Sequence, residues 1–317
     1  MSAWLSTLTR VDPSSRLSVS LALLGGVVVT RIGLGVARTT LDALIGLFRL
    51  RRRKLRVRKG AWALVTGGTD GLGRRLVVRL SEAGVSSFVT ARDRSKFEAL
   101  RKDLGDDSAP LRFSRLDLCD YPSLSEQKGI FNEMFEQVKI DLLVLNAGMF
   151  FQKRFRDCSF AELDQIFNIN FANNVALVSS HLAQTEDPLD IIFISSFLGL
   201  VPNKDLAIHP ILKFSFAEFL KLVRRRLAKA GRASRVSTVY PRGFISSVYK
   251  NNGESSSGIF GVVSADSVAS AVLERSFGRP ESSGHLLHEL LNLMAAWPPF
   301  FRLYARWELA RITKKYF

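Results

Sequence analysis

The sequence predicts an α/β domain built on a doubly wound parallel sheet. From Ala61 onward, six short apolar runs alternate with five longer stretches of helical periodicity. A right-handed crossover between parallel strands needs a helix between them, so this alternation indicates helices on both faces of the sheet. The first apolar run also leads into a glycine-rich loop that opens a helix. With 47% hydrophobic residues, the 317-residue chain can bury the core of such a domain.

The elements follow from short apolar runs and from apolar residues spaced three or four apart. The predicted strands are Ala61–Thr66, Ser87–Ala91, Leu111–Leu116, Leu142–Asn146, Asp190–Ser195 and Val236–Tyr240. The predicted helices are Gly71–Ala83, Arg94–Leu104, Ser123–Val138, Phe160–Gln184 and Pro210–Ala230. The stretch Asn251–Gly258 is rich in Asn, Gly and Ser and predicts a loop. No repeat divides the array, so we expect a single domain.

The loop after the first strand predicts dinucleotide binding. Glycines allow a tight turn and close approach of the backbone to a pyrophosphate, and the helix that follows offers free N–H groups. A glycine loop alone is a weak signal, but this one follows a strand and opens a helix at the head of the array. The candidate cofactor residues in it are Thr66, Gly67, Gly68, Asp70, Gly71, Leu72 and Gly73.

The end of the second strand indicates which dinucleotide is bound. An acid there would accept hydrogen bonds from the ribose hydroxyls and favour NAD. Arg92 stands at that point instead, where it would attract a 2′-phosphate, so the sequence favours NADPH (NADP). Asp93 follows at once, and the sequence leaves open whether its carboxylate turns inward.

Residues from about Lys59 to Leu273 resemble a short-chain dehydrogenase/reductase, a family with the Rossmann fold. The matching motifs are the loop 66–73, Asp117, Leu145-Asn146-Ala147-Gly148, Asn170, Ser196, Lys213 and the segment Pro241–Ser246. The resemblance implies cofactor contacts from Asp117, Asn146, Ala147, Gly148, Lys213, Pro241 and Ile245. It implies a catalytic group of Asn170, Ser196, Lys213 and the residue four before that lysine. Asn168, Asn173 and Asn174 leave the register of Asn170 open.

The residue four before Lys213 is His209, where the family carries a tyrosine that donates a proton to the substrate carbonyl. Imidazolium is a competent general acid, so His209 is the candidate donor. Lys213 disfavours a second positive charge one turn away. Pro210 biases His209 out of helical geometry, and the helix is expected to begin at about Pro210. These effects predict impaired catalysis and leave open whether the chain is an active enzyme.

The resemblance extends to one branch of the family, the membrane-bound very-long-chain 3-oxoacyl-CoA reductases and related 17β-hydroxysteroid dehydrogenases. The shared features are Gly-Thr-Asp-Gly-Leu-Gly from Gly68, Gly-x-Leu-x-His from Gly284, a later Trp-Pro pair and a lysine-rich end. The branch implies NADPH-dependent reduction of a (very-)long-chain 3-oxoacyl-CoA in fatty-acid elongation, or of a 17-keto steroid. The alternative is a cofactor-binding pseudoenzyme that acts as a membrane partner or regulator.

The N-terminal region predicts a membrane anchor. Leu17 to Phe48 is mostly apolar, and residues 49–59 follow with eight basic side chains and no acid. Positive residues beside a membrane segment stay in the cytosol, so we expect the domain to face the cytosol. Charged residues interrupt the apolar stretch, so its topology stays open. The choices are a span over Leu17–Ala37, a shallow hairpin, and an interfacial helix over Thr39–Leu50.

The C-terminal region predicts a second membrane association. Residues 286–304 are amphipathic and suit an interfacial segment, with a core helix as the alternative. Lys314 and Lys315 match the dilysine signal for retrieval to the endoplasmic reticulum, which is therefore the expected membrane. The predicted regions are 1–58 (anchor and basic segment), 59–282 (cofactor-binding domain) and 283–317 (amphipathic segment).

The net charge of +16 raises the question of a nucleic-acid partner. The basic run lacks the aromatic platforms or recognition helix of a nucleic-acid site, so we expect none. The two cysteines lack metal-ligand spacing, and no metal site is predicted. The expected partners are a lipid-like small molecule and a membrane, with a homodimer or an elongation complex left open.

Overall fold

The computed structural model describes residues 58–119, 124–151, 153–196, 208–241, 264–275 and 281–282. In this part of the chain seven strands form one parallel sheet in the order β3-β2-β1-β4-β5-β6-β7. The strands are β1 (Trp62–Thr66), β2 (Ser86–Ala91), β3 (Leu111–Arg115), β4 (Ile140–Leu145), β5 (Asp190–Ile194), β6 (Val236–Val239) and β7 (Glu281–Ser282). This confirms the predicted doubly wound α/β fold.

Helices join the strands. They are α1 (Gly71–Glu82), α2 (Arg94–Leu104), α3 (Leu124–Gln137), α4 (Phe160–Phe167), α5 (Asn173–Gln184), α6 (His209–Lys229) and α7 (Ala265–Arg275). A 3₁₀ turn covers Phe155–Asp157, and a π-helical turn over Asn168–Ala172 joins α4 to α5. Among these helices none combines the length and the apolarity needed to cross a bilayer.

Two apolar layers cover the two faces of the sheet. On one face, side chains from α3, α5 and α6, such as Phe131, Leu177 and Phe216, pack against the strands. On the other face, residues of α1, α2 and α7, such as Leu76 and Leu100, do the same. Strands β4 and β5 lie between both layers, so residues 142–145 and 191–194 are buried. A strand buried on both faces needs a continuous apolar run, which explains why the sequence predicted these elements so well.

The topology also places the site. The chain runs from β1 outward to β3 and then returns to β4, on the other side of β1. Ligands of doubly wound sheets bind at such a switch point, beyond the carboxyl ends of the strands. The segments that leave β1, β4 and β5 meet at this edge, and they carry most of the candidate site residues.

The predicted boundaries agree with the structure to within one residue, except that β4 begins at Ile140 rather than Leu142. Four features were not predicted: α7, β7, the 3₁₀ turn and the π-helical turn inside the predicted helix Phe160–Gln184. The expectation that Pro210 keeps His209 out of the helix was wrong, because α6 begins at His209. Pro210 lies in the first turn, where a missing N–H costs nothing.

Some predicted features lie outside the described residues. These are the anchor and most of the basic run, the loop Asn251–Gly258, Ile245, and the C-terminal segment 283–317 with its dilysine end.

A buried histidine links stability to pH on the face that α3 and α5 cover. His181 on α5 packs edge-to-face against Phe135 of α3, with ring centroids 4.6 Å apart. Its Nδ1 atom is buried without a hydrogen-bond partner in the described part of the chain. Burial, with a smaller effect of the Arg232 charge, lowers the pKa of His181 to about 4.

We expect His181 to make the protein less stable as the pH falls from about 6.5 to about 4. In this pH window His181 is protonated in the unfolded chain and stays neutral in the folded chain. Between pH 7.5 and pH 4.5, wild type should lose about 2 kcal/mol more unfolding free energy than His181→Leu. Urea unfolding at both pH values measures this difference. Equal losses in the two proteins would show that His181 is protonated in the fold.

Candidate active site

Thr66, at the end of β1, holds the neighbouring strand end in place. Its buried hydroxyl oxygen accepts hydrogen bonds from the backbone N–H groups of Asn146 and Ala147, both at 3.0 Å. The hydroxyl proton is directed at the Val144 carbonyl, 3.4 Å away. The Asn146 amide returns the contact by donating to the carbonyls of Thr66 at 3.0 Å and Gly67 at 3.3 Å. The carboxyl ends of β1 and β4 are therefore fixed to each other.

The glycine loop forms a cradle that admits no side chain at its tightest point. A Cβ on Gly73 would lie 2.2 Å from the Gly67 carbonyl oxygen and 2.5 Å from Asn146 Nδ2. Gly67 and Gly71 have φ values of +62° and +51°, in the left-handed region. Asp70 caps α1 by accepting from Gly71 N–H at 2.7 Å, while the buried Leu72 anchors the helix below. The first turn of α1 leaves N–H groups without intrahelical partners at this cradle.

The end of β2 resolves the question of Asp93. Its carboxylate accepts from Ser95 N–H at 2.8 Å and from the Ser95 hydroxyl at 2.7 Å, which caps α2. These hydrogen bonds from Ser95 lower the pKa of Asp93. Arg92 is exposed and has no ion pair within the described ranges. Lys96 of α2 reaches back to Asp70 at 2.7 Å and brings a second positive charge to the glycine loop.

The asparagines of the π-helical turn and its flanks are buried, and two of them hydrogen-bond the backbone that follows β3. Asn173 donates to the Leu118 carbonyl at 2.7 Å and Asn168 to the Cys119 carbonyl at 3.2 Å. Asp117 lies just before Leu118 and Cys119, and its carboxylate accepts a hydrogen bond from Cys119 N–H at 2.9 Å. They shape the segment that leaves β3.

Of the asparagines whose register was open, Asn170 is the one that lies beside the lysine. A Cβ on Gly148 would be 2.9 Å from Asn170 Oδ1 and 2.8 Å from Lys213 Nζ. The Asn170 amide donates to the carbonyls of Met149 at 2.8 Å and Ile166 at 3.1 Å, while its Oδ1 is buried without a partner in the described chain. Gly148 thus has to lack a side chain, because a Cβ there would collide with both groups.

Lys213 is buried at the carboxyl end of β5. Its ammonium group donates to the Ile194 carbonyl at 3.0 Å and lies 4.9 Å above the ring of Phe193. Only 4% of the residue is exposed. Burial lowers the pKa of Lys213 to about 7, because removal from water penalises the charged form.

His209 lies one helical turn before Lys213 and is also buried. Its Nδ1 atom is 2.9 Å from the Met149 carbonyl oxygen, the same oxygen that Asn170 binds. A carbonyl oxygen only accepts, so Nδ1 carries the proton and donates it. Burial, and then the charge of Lys213, lower the pKa of His209 to about 3. At neutral pH the ring is therefore a neutral imidazole with an unprotonated Nε2.

The remaining candidates lie at the same edge of the sheet. Ser196 follows β5 by two residues and is half-buried, and Pro241 is buried two residues after β6. Ile245 lies outside the described residues. The structure adds one group that the sequence did not indicate, the Met149 carbonyl that receives both His209 and Asn170. No side-chain signal could have found it, because a backbone oxygen looks the same at every position.

The cradle fits an elongated anion such as a dinucleotide. It offers the N-terminus of α1, a wall of glycines that a Cβ would obstruct, and two cations in Arg92 and Lys96. A second group, made of Gly148, Asn170, Lys213 and His209, lies where the next strand ends. The first group can hold phosphates, and the second can hold and transfer protons.

The family model described as "short chain dehydrogenase" matches residues 61–256. A very-long-chain 3-oxoacyl-CoA reductase from Laccaria bicolor is 30% identical over 227 residues, which are 67% of this chain and 64% of that protein. "Putative steroid dehydrogenase 3" of Caenorhabditis elegans is 34% identical over 101 residues, 31% of each chain. Both matches span less than two thirds of the relative's own length.

The fold recurs in solved structures. A short-chain dehydrogenase from Sphingobium yanoikuyae, solved with NADPH, superposes with a TM-score of 0.61 at 21% identity. That superposition covers 67% of this chain and 83% of the other. At this identity the likeness concerns the fold.

Proposed function

The chain belongs to the short-chain dehydrogenase family, and on that premise we propose that it reduces the ketone of a lipid with NADPH. The substrate proposed first is a (very-)long-chain 3-oxoacyl-CoA, and a 17-keto steroid is the second. The observation that carries the proposal is that Lys213 and Asn170 both lie against Gly148, beside a cradle that fits a dinucleotide. A bound nicotinamide would supply the hydride.

The residues of the chain then have separate tasks. The glycine loop and the N-terminus of α1 bind the pyrophosphate, and Asp117, Asn146, Ala147 and Pro241 line the rest of the cofactor path. Ser196 hydrogen-bonds the substrate carbonyl. We take His209 to stand at the family's tyrosine position, because it opens α6 and precedes Lys213 by four residues.

The proposed choice of NADPH depends on Arg92. Since the Asp93 carboxylate is committed to the cap of α2, Arg92 is the side chain left to meet the adenosine ribose at the end of β2. A charge-assisted hydrogen bond to the 2′-phosphate is worth about a 10- to 100-fold preference.

Arg92→Ala should therefore weaken NADPH binding about 10- to 100-fold and leave NADH binding unchanged. Fluorescence titration of both nucleotides measures the ratio. Arg94→Ala is the matched control, because Arg94 is exposed and pairs with Glu98 on the outside of α2 at 3.4 Å. A preference for NADPH that survives Arg92→Ala would assign its recognition elsewhere.

The lipid substrate is supported by the names of the relatives and by aromatic residues beside the site. Phe150 packs 5.7 Å from the His209 ring, and Phe151 follows it. Phe155, next along the segment that leaves β4, is 60% exposed. Such a surface suits an acyl chain or a sterol, and it does not choose between them.

The test is NADPH oxidation by the full-length chain in membranes, with a long-chain 3-oxoacyl-CoA and with estrone. We expect oxidation with the thioester. Faster oxidation with estrone would favour the steroid. The non-catalytic alternative has one observation on its side, since the N–H of His209 is already donated to Met149. NADPH binding without oxidation by either ketone would support that alternative.

We further propose that the protein works at the endoplasmic-reticulum membrane with this domain in the cytosol. The support comes from the apolar stretch Leu17–Phe48, the basic run that follows it and the final dilysine. Fractionation of the tagged full-length chain tests this, and Lys314→Ser with Lys315→Ser should release it from the endoplasmic reticulum.

A further inference from the structure

His209 has no proton to offer a substrate. Its N–H points at the Met149 carbonyl, and because that oxygen can only accept a hydrogen bond, the opposite tautomer is excluded. Its other nitrogen is unprotonated in a neutral ring, so it can only accept a hydrogen bond. Proton donation in the site therefore needs another group.

Lys213, one turn further along α6, carries protons that it can donate. An ammonium has three N–H bonds, and one of them is donated to the Ile194 carbonyl at 3.0 Å. Its amine lies against Gly148, on the edge of the sheet where strands β4 and β5 end. The Asn170 carbonyl oxygen lies against the same glycine and has no other partner in the described chain.

The described groups around Lys213 carry no negative charge that would stabilise its ammonium form. His209, on the same helix, is neutral. Gly148 and Met149 carry no charge, and the π-helical turn presents the amide of Asn170. From β5 and the residues after it come Phe193, Ile194 and serines. No carboxylate acts on Lys213 within the described ranges, and burial alone sets its acidity.

We propose that the Lys213 ammonium is the proton donor of the site. This rests on the proposed reductase function. As the reduced nicotinamide gives its hydride to the carbonyl carbon, the C=O π pair moves to oxygen, and that oxygen takes a proton from Lys213, directly or through one water. The products are the alcohol, the oxidised nicotinamide and a neutral lysine. Water restores the proton before the next turnover.

The experiment is single-turnover reduction of a long-chain 3-oxoacyl-CoA by the NADPH complex of the full-length chain, between pH 5 and pH 9. We expect the wild-type rate to fall about tenfold per pH unit above about pH 7. In His209→Gln the rate should begin to fall at the same pH as in wild type, whatever its absolute value. Lys213→Arg keeps a cation that does not titrate, so its rate should drop about 100-fold or more at pH 6 and its profile should be flat.

Two controls separate loss of proton donation from damage to the cofactor site and from a general effect of replacing a lysine. Lys229→Met, at the exposed end of α6, should behave as wild type. NADPH titration of Lys213→Arg shows whether its cofactor site is intact. Lys213 is not the proton donor if the rate of Lys213→Arg still falls above about pH 7, or if the pH at which the rate falls changes in His209→Gln. If wild type binds NADPH yet reduces no ketone at any pH, the reductase function itself fails.

A second measurement does not depend on turnover. NMR titration of ¹³C-lysine-labelled protein, with Lys213 assigned by difference from Lys213→Arg, should show one lysine that titrates near pH 7. Titration above about pH 9, near the ordinary range for lysine, would overturn the proposal whatever the substrate.

Discussion

Replacing Gly73 with alanine should raise the Kd for NADPH at least about 100-fold, or about 3 kcal/mol. The new methyl group would lie 2.2 Å from the Gly67 carbonyl oxygen and 2.5 Å from Asn146 Nδ2. Neither neighbour can yield easily, because one is backbone and the other is held by two hydrogen bonds. The loop and α1 must therefore move apart, and the N–H groups in the first turn of α1 would no longer point at the pyrophosphate. Fluorescence titration with NADPH measures the effect.

The control for Gly73 is Gly129→Ala. Gly129 lies on the exposed side of α3, and a Cβ there meets nothing within 4 Å. NADPH binding should stay unchanged, and alanine in a helix should stabilise the fold by about 0.5–1 kcal/mol. Binding by Gly73→Ala within threefold of wild type would mean that the dinucleotide does not use this cradle.

Replacing Thr66 with valine should cost about 2 kcal/mol of unfolding free energy although the two side chains have nearly the same shape. The change removes the oxygen that accepts from Asn146 and Ala147. Asn146 N–H keeps a second contact with the Val144 carbonyl at 3.1 Å, but Ala147 N–H loses its acceptor. Urea unfolding of the two proteins measures the difference.

Thr90→Val is the matched control for this change. Thr90 is buried on β2 directly opposite Thr66 in the parallel register, and its hydroxyl makes no hydrogen bond within the described ranges. It should cost less than about 1 kcal/mol. Equal costs at the two positions would show that the Thr66 hydroxyl is no more important than any buried threonine.

The sequence predicted the sheet well because its central strands are buried on both faces. Val, Ile, Leu and Phe fill residues 142–145 of β4 and residues 191–194 of β5, and a glycine loop marks where β1 ends. The phosphate cradle could be predicted because it depends on glycines, and glycines can be read directly from the sequence.

The proton-transfer group could be predicted only in part. The spacing of His209 and Lys213 places them on one helix, and the effect of the Lys213 charge on His209 has the expected direction. The orientation of the imidazole depends on Met149, whose carbonyl comes from a segment sixty residues earlier. The π-helical turn that aims Asn170 at Gly148 also has no pattern in the sequence, because its extra residue per turn is selected by tertiary contacts.

The histidine therefore has a different meaning in the structure. The sequence presents His209 as a replacement acid, and the impaired catalysis expected from it assumed that role. The structure shows that its N–H is donated to a backbone partner, the Met149 carbonyl. In our proposal the proton comes from Lys213, whose pKa burial lowers to about 7.

The measurement that tests the proposed function most directly is isotope transfer. Full-length protein in membranes is given NADPH that carries deuterium at C4 of the nicotinamide, together with a long-chain 3-oxoacyl-CoA, and the products are analysed by mass spectrometry. We predict one deuterium on C3 of a 3-hydroxyacyl-CoA, formed in step with NADPH oxidation and lost in Gly73→Ala. NADPH that binds but leaves the ketone unreduced and unlabelled would contradict the account.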